Sequence, residues 1–269
     1  MSGRAYFWGE LTTRDFEGLD PDNTIAILPV AATEQHGPHL PVMTDTAIAD
    51  GMLAVLRERL PDDVSVLVLP VQPVGKSNEH LLSPGTLTLS ADTLLRVLVE
   101  IGESVHRAGL RKIAFANSHG GNASVIATAA RELRVRRTML AVATHWRWFG
   151  LPDGVYDAVE AKHGIHAGDI ETSLMLDFRP DLVRMDKAKN FVSSAIAMEK
   201  EFKSLSATGS HSFGWMAPDL NPDGAVGNAS IATAEKGRAT AIHQADGFIA
   251  LLRDMANFDL ARLKAVPGA

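Results

Sequence analysis

Four short apolar segments alternate with amphipathic segments over the first 145 residues, and this alternation constrains the fold more than any other feature of the sequence. An apolar run of four to eight residues is typical of a buried strand, whereas apolar residues spaced three and four apart are typical of a helix covering it. Strands alternating with helices predict a parallel sheet covered on both faces, and therefore the α/β class. The predicted strands are Thr24–Val30, Val64–Pro70, Lys112–Ala116 and Thr138–Thr144.

Amphipathic stripes predict one helix after each of the first three strands. The first stripe runs from Ile48 to Leu60, the second begins after a capping Ser90 and ends at Gly109, and the third covers 122–134. No linker or repeat interrupts the pattern, so we expect one domain over residues 1–269. Later segments predict a loop over 146–166, a helix over 170–177, a Gly/Pro/Asn-rich stretch over 209–228 and a terminal helix over 234–255.

Charge and cysteine content exclude several classes of function. The net charge is -6, which gives no basic field for nucleic acid, so we expect a small-molecule or peptide partner. The chain has no cysteine, so any metal must be held by His, Asp and Glu. The first residues show no signal-peptide pattern, and no run of about 18 apolar residues is present. We expect a cytoplasmic protein without a membrane partner.

Polar side chains follow each predicted strand where it ends. Glu34 and His36 follow the first strand, Ser77 follows the second, His119 follows the third and His145 closes the fourth. In an open α/β sheet, ligands bind outside the carboxyl ends of the strands, where these loops meet. We therefore expect the polar groups to lie around one crevice.

Glu34, His36, Asp45 and His119 form a mixed oxygen and nitrogen set that suits Zn, Mn or Fe(II). Each residue alone has an ordinary alternative. Asp45 could cap a helix, His36 could lie on the surface, and the nearby His39 could only hydrogen-bond its loop. The metal interpretation is favoured because four such groups end on the same side of the predicted sheet.

Two further motifs carry polar residues. The "NSHGGN" turn around His119 has a weak phosphate-binding alternative, but it contains neither a G-x-G-x-x-G pattern nor a P-loop lysine. In "HGIHAGDIETS", His166 and Glu171 are candidates for acid/base and metal roles. Asp169 in the same motif is better explained by the helix dipole, which favours acidic residues in a first turn.

Five segments together resemble the creatininase family of metal-dependent amidohydrolases: "LPVAATEQHGPHLPVMTDT", "VGKSNEHLLSPGTLTL", "FANSHGGN", "HAGDIETSLML" and "ATAEKGRA". The resemblance implies a three-layer α/β/α sandwich with a mainly parallel sheet, a two-metal centre at the carboxyl edge of that sheet, and a homohexamer. Carried over by position, it implies that Glu34, Asp45 and His119 hold one ion. It implies that His36 and the bridging Asp45 hold the other.

The sequence departs from creatininase itself at the second ion. Gly121 stands where creatininase has a glutamate, so another carboxylate is needed, and we expect Glu171 to supply it. Gly120 and His163 stand where creatininase has residues that help to hold the creatinine ring. We therefore do not expect creatinine to be the substrate.

The resemblance and the residues together predict a hydrolase that cleaves the C–N bond of a cyclic amide or small linear amide with a metal-activated water. We expect two divalent ions per chain, zinc or manganese, with iron as a further option. His166 is predicted to move the proton, because imidazole titrates near pH 6.5, and Ser77 is predicted to contact the substrate. The alternatives are a formamide deformylase or peptidase of the same family, or a non-catalytic metal-binding protein that retains the fold.

Overall fold

A four-stranded parallel sheet lies at the centre of the computed structural model, which describes residues 6–266. The strand order is β2-β1-β3-β4, and a short antiparallel pair, β5 with β6, lies apart from this sheet. The strands are β1 (Thr24–Val30), β2 (Ser65–Val68), β3 (Lys112–Asn117), β4 (Leu140–His145), β5 (Asn190–Phe191) and β6 (Gly227–Asn228).

The described chain contains eight α-helices, joined in several places by short 3₁₀ turns. They are α1 (Thr44–Arg59), α2 (Ala91–Arg107), α3 (Ala123–Arg137), α4 (Ala158–His163), α5 (Asp169–Phe178), α6 (Ala195–Glu201), α7 (Ala217–Leu220) and α8 (Ala234–Asn257). None of the helices within residues 6–266 has the length and apolar character needed to cross a membrane.

Helices cover both faces of the sheet, because successive side chains of a strand point to opposite faces. In β1, Ile25 and Ile27 pack on the side of α1, α5 and α8, whereas Ala26 and Leu28 pack on the side of α2 and α3. Burial of each large apolar side chain contributes about 1.5–3 kcal/mol. The predicted three-layer α/β/α sandwich is confirmed.

The helix and strand boundaries show where local sequence signals were sufficient. Ser90 caps α2 by accepting a hydrogen bond from the Thr93 amide, and Gly109 adopts a φ of +96° just beyond the helix, both as predicted. The predicted start of the fourth strand at Thr138 is wrong, because Thr138 adopts a left-handed φ of 52° that ends α3. The second strand is also shorter than predicted.

The register of the strands brings their carboxyl ends together. Val30 at the end of β1 pairs with Asn117 in β3, and Asn117 pairs with His145 at the end of β4. Side chains in the loops that follow these strands therefore start from one edge of the sheet. The candidate functional residues lie at this edge.

Candidate metal centre

Four different parts of the chain bring polar side chains to the carboxyl edge of the sheet. Glu34 and His36 come from the loop after β1, and His119 follows β3. Asp45 lies in the first turn of α1, and Glu171 lies in the first turn of α5. Asp45 is not the helix cap, because Met43 occupies that position. The predicted convergence of distant residues is present.

The first group consists of Glu34, Asp45 and His119, all buried. His119 Nδ1 lies 3.2 Å from Glu34 Oε1 and 3.6 Å from Asp45 Oδ2. One atom from each residue lies within 4.8 Å of the others, so the three side chains can hold a single metal ion. We name this group the first ligand set.

The second group consists of His36, Asp45 and Glu171, and it shares Asp45 with the first ligand set. His36 Nε2 lies 3.8 Å from Asp45 Oδ1 and 3.8 Å from Glu171 Oε2. The two oxygens of Asp45 thus face different histidines, which suits a carboxylate that bridges two ions. We name this group the second ligand set.

Buried atoms without hydrogen-bond partners test whether the two sets fit metal ions. Among the described residues, both carboxylate oxygens of Glu34, Asp45 Oδ2 and His36 Nε2 are buried and lack a hydrogen bond. A buried polar atom without a partner costs about 1–3 kcal/mol, and more when it is charged. Four such atoms in one cluster are accounted for when cations bind them, so the residues fit the ions that the ligand sets imply.

Hydrogen bonds determine which ring nitrogen of His36 and of His119 faces the cluster. His36 Nδ1 donates to the backbone oxygen of Glu34 at 3.0 Å, which leaves the lone pair on Nε2. His119 Nε2 donates to the backbone oxygen of Lys76 at 2.9 Å, which in the neutral ring leaves the lone pair on Nδ1. Metal-binding histidines usually have such a second partner, because it fixes the tautomer and the ring orientation.

The ionisable groups of the cluster shift one another's pKa values. Burial raises the pKa of Asp45 well above its ordinary value, and the nearby Glu34 carboxylate raises it further. Burial opposes ionisation of Glu34 too, but His119, His80 and His166 outweigh it and hold the pKa of Glu34 well below its ordinary value. Burial likewise opposes protonation of His119, yet Glu34, Glu79 and Asp45 raise its pKa well above the ordinary value. In the absence of a bound cation, Asp45 therefore resists ionisation, while Glu34 ionises beside His119.

His166 lies between two other imidazole rings. Its ring centroid is 4.2 Å from that of His36 and 4.4 Å from that of His80. Its Nε2 donates to the backbone oxygen of Gln35 at 2.8 Å, and its Nδ1 lies 3.7 Å from Glu34 Oε1. Burial, followed by the charges of His36 and His80, lowers the pKa of His166 well below 6.5, so the ring is neutral at neutral pH.

Gln35 is a site residue that the sequence analysis missed. Its side-chain amide donates to the Gly224 carbonyl at 2.7 Å and lies 2.7 Å from His80 Nδ1, and its backbone oxygen accepts from His166. Gln35 therefore orients two histidines without belonging to either ligand set. The sequence feature that could have identified Gln35 is its position between Glu34 and His36.

A cavity with a volume of about 950 Å³ opens beside the cluster. Asp45, Glu79, His119, His166 and Glu171 line it, together with basic and aromatic side chains from three loops. The basic and aromatic lining residues are Lys76, Arg147, Trp148, Phe213 and Trp215. A cavity of this size accepts a ligand of many atoms next to the candidate metal centre.

Ser77 is completely buried, and its hydroxyl is one of the polar atoms without a partner. It does not line the cavity, although its neighbours Lys76 and Glu79 do. Glu79 and His80 form a further potential ligand group with Glu34, in which His80 Nε2 lies 3.2 Å from Glu34 Oε1. The loop after β2 therefore contributes more to the site than the single serine that the sequence analysis assigned.

The remaining histidines of interest lie outside both ligand sets. His39 Nε2 lies 2.9 Å from the Thr172 hydroxyl, which agrees with a loop-fixing role. Burial lowers the pKa of His145 to about 3, and its Nδ1 accepts a hydrogen bond from the Arg147 amide. His163 lies 3.6 Å from Glu199 in a separate small pocket, away from the cavity.

Four aromatic residues near the site divide into two pairs. Trp148 and Trp215 line the cavity. Trp146 and Phe149 instead pack against Phe248 of α8, with ring centroids 4.9 Å and 5.6 Å away. Only the first pair is placed to contact a substrate.

Comparison with known proteins adds the family context. A family model described as creatininase, creatinine amidohydrolase, matches residues 9–252. A mycofactocin precursor peptide peptidase of Mycolicibacterium smegmatis is 36% identical over 181 residues, which are 66% of this chain and 66% of that protein. The chain therefore spans about two thirds of that relative's length. The peptidase of the same name in Mycobacterium ulcerans is 30% identical over 86% of this chain and 85% of its own.

A curated relative and two solved structures carry the creatininase name. The creatinine amidohydrolase of Pseudomonas putida is 28% identical over 68% of this chain and 76% of its own. A manganese creatininase structure has a TM-score of 0.76, and a Zn–Zn form of a creatininase mutant has a TM-score of 0.75. Each structure is 25% identical and covers 95% of this chain and 100% of its own.

Proposed function

The chain belongs to the creatininase family and is accordingly a hydrolase of C–N amide bonds, and from this premise we propose that it uses two divalent metal ions held by the two ligand sets. The observation that carries the proposal is the sharing of Asp45, whose two oxygens face His119 and His36 from one buried position. The first ion is assigned to Glu34, Asp45 and His119, and the second to His36, Asp45 and Glu171. Zinc and manganese are the proposed metals, since both suit this donor set and both are named for solved creatininases.

Bound divalent ions supply Lewis-acid charge that lowers the pKa of water and polarises a carbonyl oxygen. The chain's own contribution is to hold the ligands, exclude bulk water and move the proton. His166 is assigned to the proton transfer through Nδ1, because its Nε2 proton is committed to the Gln35 backbone oxygen. A neutral His166 takes up a proton from the attacking water and then returns it to the leaving nitrogen.

The size of the cavity favours a peptide or a similarly extended amide over a small cyclic amide. A volume of about 950 Å³ is at the upper end for small-molecule sites and exceeds what a single small ring fills. Gly120 and His163 also do not reproduce the residues that hold the creatinine ring, since His163 faces a different pocket. The Mycolicibacterium smegmatis relative is named for a peptide substrate, which supports the same choice.

A formamide substrate with a phosphate group is the second candidate, and basic side chains in the cavity favour it. Arg147 lines the cavity, but its guanidinium donates to the carbonyls of Ala161 and Gly164. Lys76 is therefore the cation placed to meet an anionic group. The substrate contact proposed for Ser77 rests on the family resemblance alone, since Ser77 is fully buried and does not line the cavity.

The proposal also covers the oligomeric state of the protein and its location in the cell. Two loops come together where Gly85 approaches Val42. They carry four exposed apolar side chains: Val42, Leu81, Leu82 and Leu87. These side chains support a subunit interface in the homohexamer that the family resemblance implies. We also propose a cytoplasmic location, as expected from the sequence.

The experiment is a substrate screen with the metal-loaded protein. Lactams, ureides, formamides and short peptides are each incubated with protein reconstituted with zinc or manganese, with chelator-treated protein as the control. We expect release of an amine from at least one amide class in the metal-loaded sample alone. Equal cleavage by the chelated protein contradicts the proposal.

A further inference from the structure

His119 Nε2 is the ring nitrogen that points away from the first ligand set, and two acceptor groups lie near it. His119 Nε2 donates to the Lys76 backbone oxygen at 2.9 Å, and Glu79 Oε1 lies 3.4 Å from the same nitrogen. The comparable nitrogen of His36 faces only the neutral backbone oxygen of Glu34. A carboxylate at this position makes the opposite nitrogen a stronger metal ligand and fixes the direction of its lone pair.

Gly121 explains how the Glu79 side chain reaches this position. A Cβ atom at residue 121 would collide with the Glu79 carboxylate, the Lys76 carbonyl and the His119 ring. The backbone of Gly121 does not have the positive φ that favours glycine, and the space around the neighbouring Gly120 is open. Glycine is therefore required at 121 for space, which the carboxylate of Glu79 occupies together with the Lys76 carbonyl and the His119 ring.

We propose that Glu79 is a positioning residue for His119, and that Gly121 is the complementary position that admits its carboxylate. This inference rests on the proposed role of His119 as a metal ligand. Glu79 lies in the 3₁₀ turn Asn78–His80, and its side chain is only 15% exposed, so packing holds the carboxylate behind the ring.

The test measures metal affinity, which requires no substrate. Metal-free wild type, Glu79→Gln, Glu79→Ala, Gly121→Ala and the double variant Glu79→Ala/Gly121→Ala are titrated with zinc against a chromophoric chelator. Glu79→Ala and Gly121→Ala are each expected to weaken the tighter ion by about 10–100-fold, the range for loss of a partner that orients a ligand. The double variant is expected to lose no more than the worse single variant, because both changes remove the same contact.

Two controls separate positioning from general damage. Gly120→Ala adds the same methyl group to open space one residue away and is expected to leave zinc affinity unchanged. Glu79→Gln keeps the shape of the side chain without its charge, so the melting temperature of the metal-free protein is expected to stay near wild type while zinc affinity falls about tenfold. If the alanine variants fail to fold, Glu79→Gln decides the question.

Zinc affinity of Glu79→Gln equal to wild type, or losses in the two single variants that multiply in the double variant, would overturn the inference. Failure of the proposed function gives a different result. If the wild type binds zinc but cleaves no amide, the proposed function is contradicted. The coupling between Glu79 and Gly121 can still be measured from zinc affinity in that case.

Discussion

The two ligand sets share Asp45 but differ in how firmly the protein holds them. Glu34 and His119, which complete the first set, are buried and follow the adjacent central strands β1 and β3. The second set is completed by His36, which is buried, and by Glu171, which comes from α5 outside the sheet and has a side chain that is 22% exposed. Both sets reach the cavity through Asp45, but all three ligands of the first set are buried, whereas Glu171 leaves the second set partly exposed and its ion easier to exchange.

The second set is nevertheless anchored by its surroundings. Glu171 Oε2 accepts a hydrogen bond of 2.6 Å from the amide of Ala167, a residue with a left-handed φ of 53°. A non-glycine residue in this region costs of order 1 kcal/mol or more, and such strain concentrates at functional sites. The contrast predicts a tight ion in the first set and a weaker ion in the second, and the following changes test it.

Asp45→Ala has the largest expected effect, because it removes the carboxylate that both sets share. We expect both ions to be lost and hydrolysis to fall to the level of the metal-free protein. Metal content after dialysis and the rate of amide cleavage check this result. Asp50→Ala, an exposed position on the same helix, is the matched control and should keep both ions. An Asp45→Ala variant that retains two ions would remove the bridging role.

Glu171→Gln should remove only the weaker ion. Since one ion supplies several kcal/mol of charge stabilisation, we expect activity to fall about 10³-fold while about one ion per chain remains. Metal analysis beside kcat/KM makes the measurement, with Asp177→Asn on the same helix as the control. Loss of both ions from Glu171→Gln would show that the two sets do not differ in the way the comparison states.

His166→Ala should leave both ions bound and slow turnover by about 10² to 10⁴-fold, since a proton-transfer residue contributes that amount. The result sharpens the comparison, because His166 also forms another group of potential ligands with Glu34 and His36. Metal content decides between the two roles. A variant that has lost an ion identifies His166 as a ligand rather than the proton carrier.

His39→Gln has the smallest expected effect and concerns stability rather than metal. Burial, with a smaller effect of His36, lowers the pKa of His39 to about 4 in the folded protein, against about 6.5 in the unfolded chain. Only the unfolded chain therefore takes up this proton between pH 6.5 and pH 4, so the stability contributed by His39 is complete above pH 6.5 and falls as the pH decreases to 4.

The free energy of unfolding of the metal-free wild type should decline in that window by up to about 1.4 kcal/mol per pH unit more than that of His39→Gln. Denaturant unfolding at several pH values measures the two slopes. Parallel slopes for the two proteins would show that His39 is not held neutral by the fold.

The fold was largely predictable from sequence because each central strand is buried on both faces and reads as a continuous apolar run. β1 matched its prediction from Thr24 to Val30 for this reason. Thr138 could not be read correctly, because a β-branched residue before an apolar run looks like strand, and only the end of α3 forces its left-handed conformation. The conformation of Thr138 is therefore determined by the end of the preceding helix and not by its own strand propensity.

The side chains of the site were predictable as a set, whereas their supporting contacts were not. Asp45 and Glu171 stood out as acidic residues in motifs, and both lie in the cluster. Gln35 was missed because a neutral amide carries no obvious metal chemistry, and its contacts with Gly224 and His166 join parts of the chain more than 130 residues away. The low pKa of His166 depends on its burial and on the charges of two adjacent imidazole rings, His36 and His80, which only the folded chain brings together.

The most direct test of the account is a titration of the metal-free protein with zinc or manganese while the rate of amide cleavage is followed. The account predicts that the rate remains low up to one ion per chain, rises as the second set fills, and levels off at two ions per chain. Full activity at one ion, or activity that is independent of added metal, would contradict the shared two-ion centre.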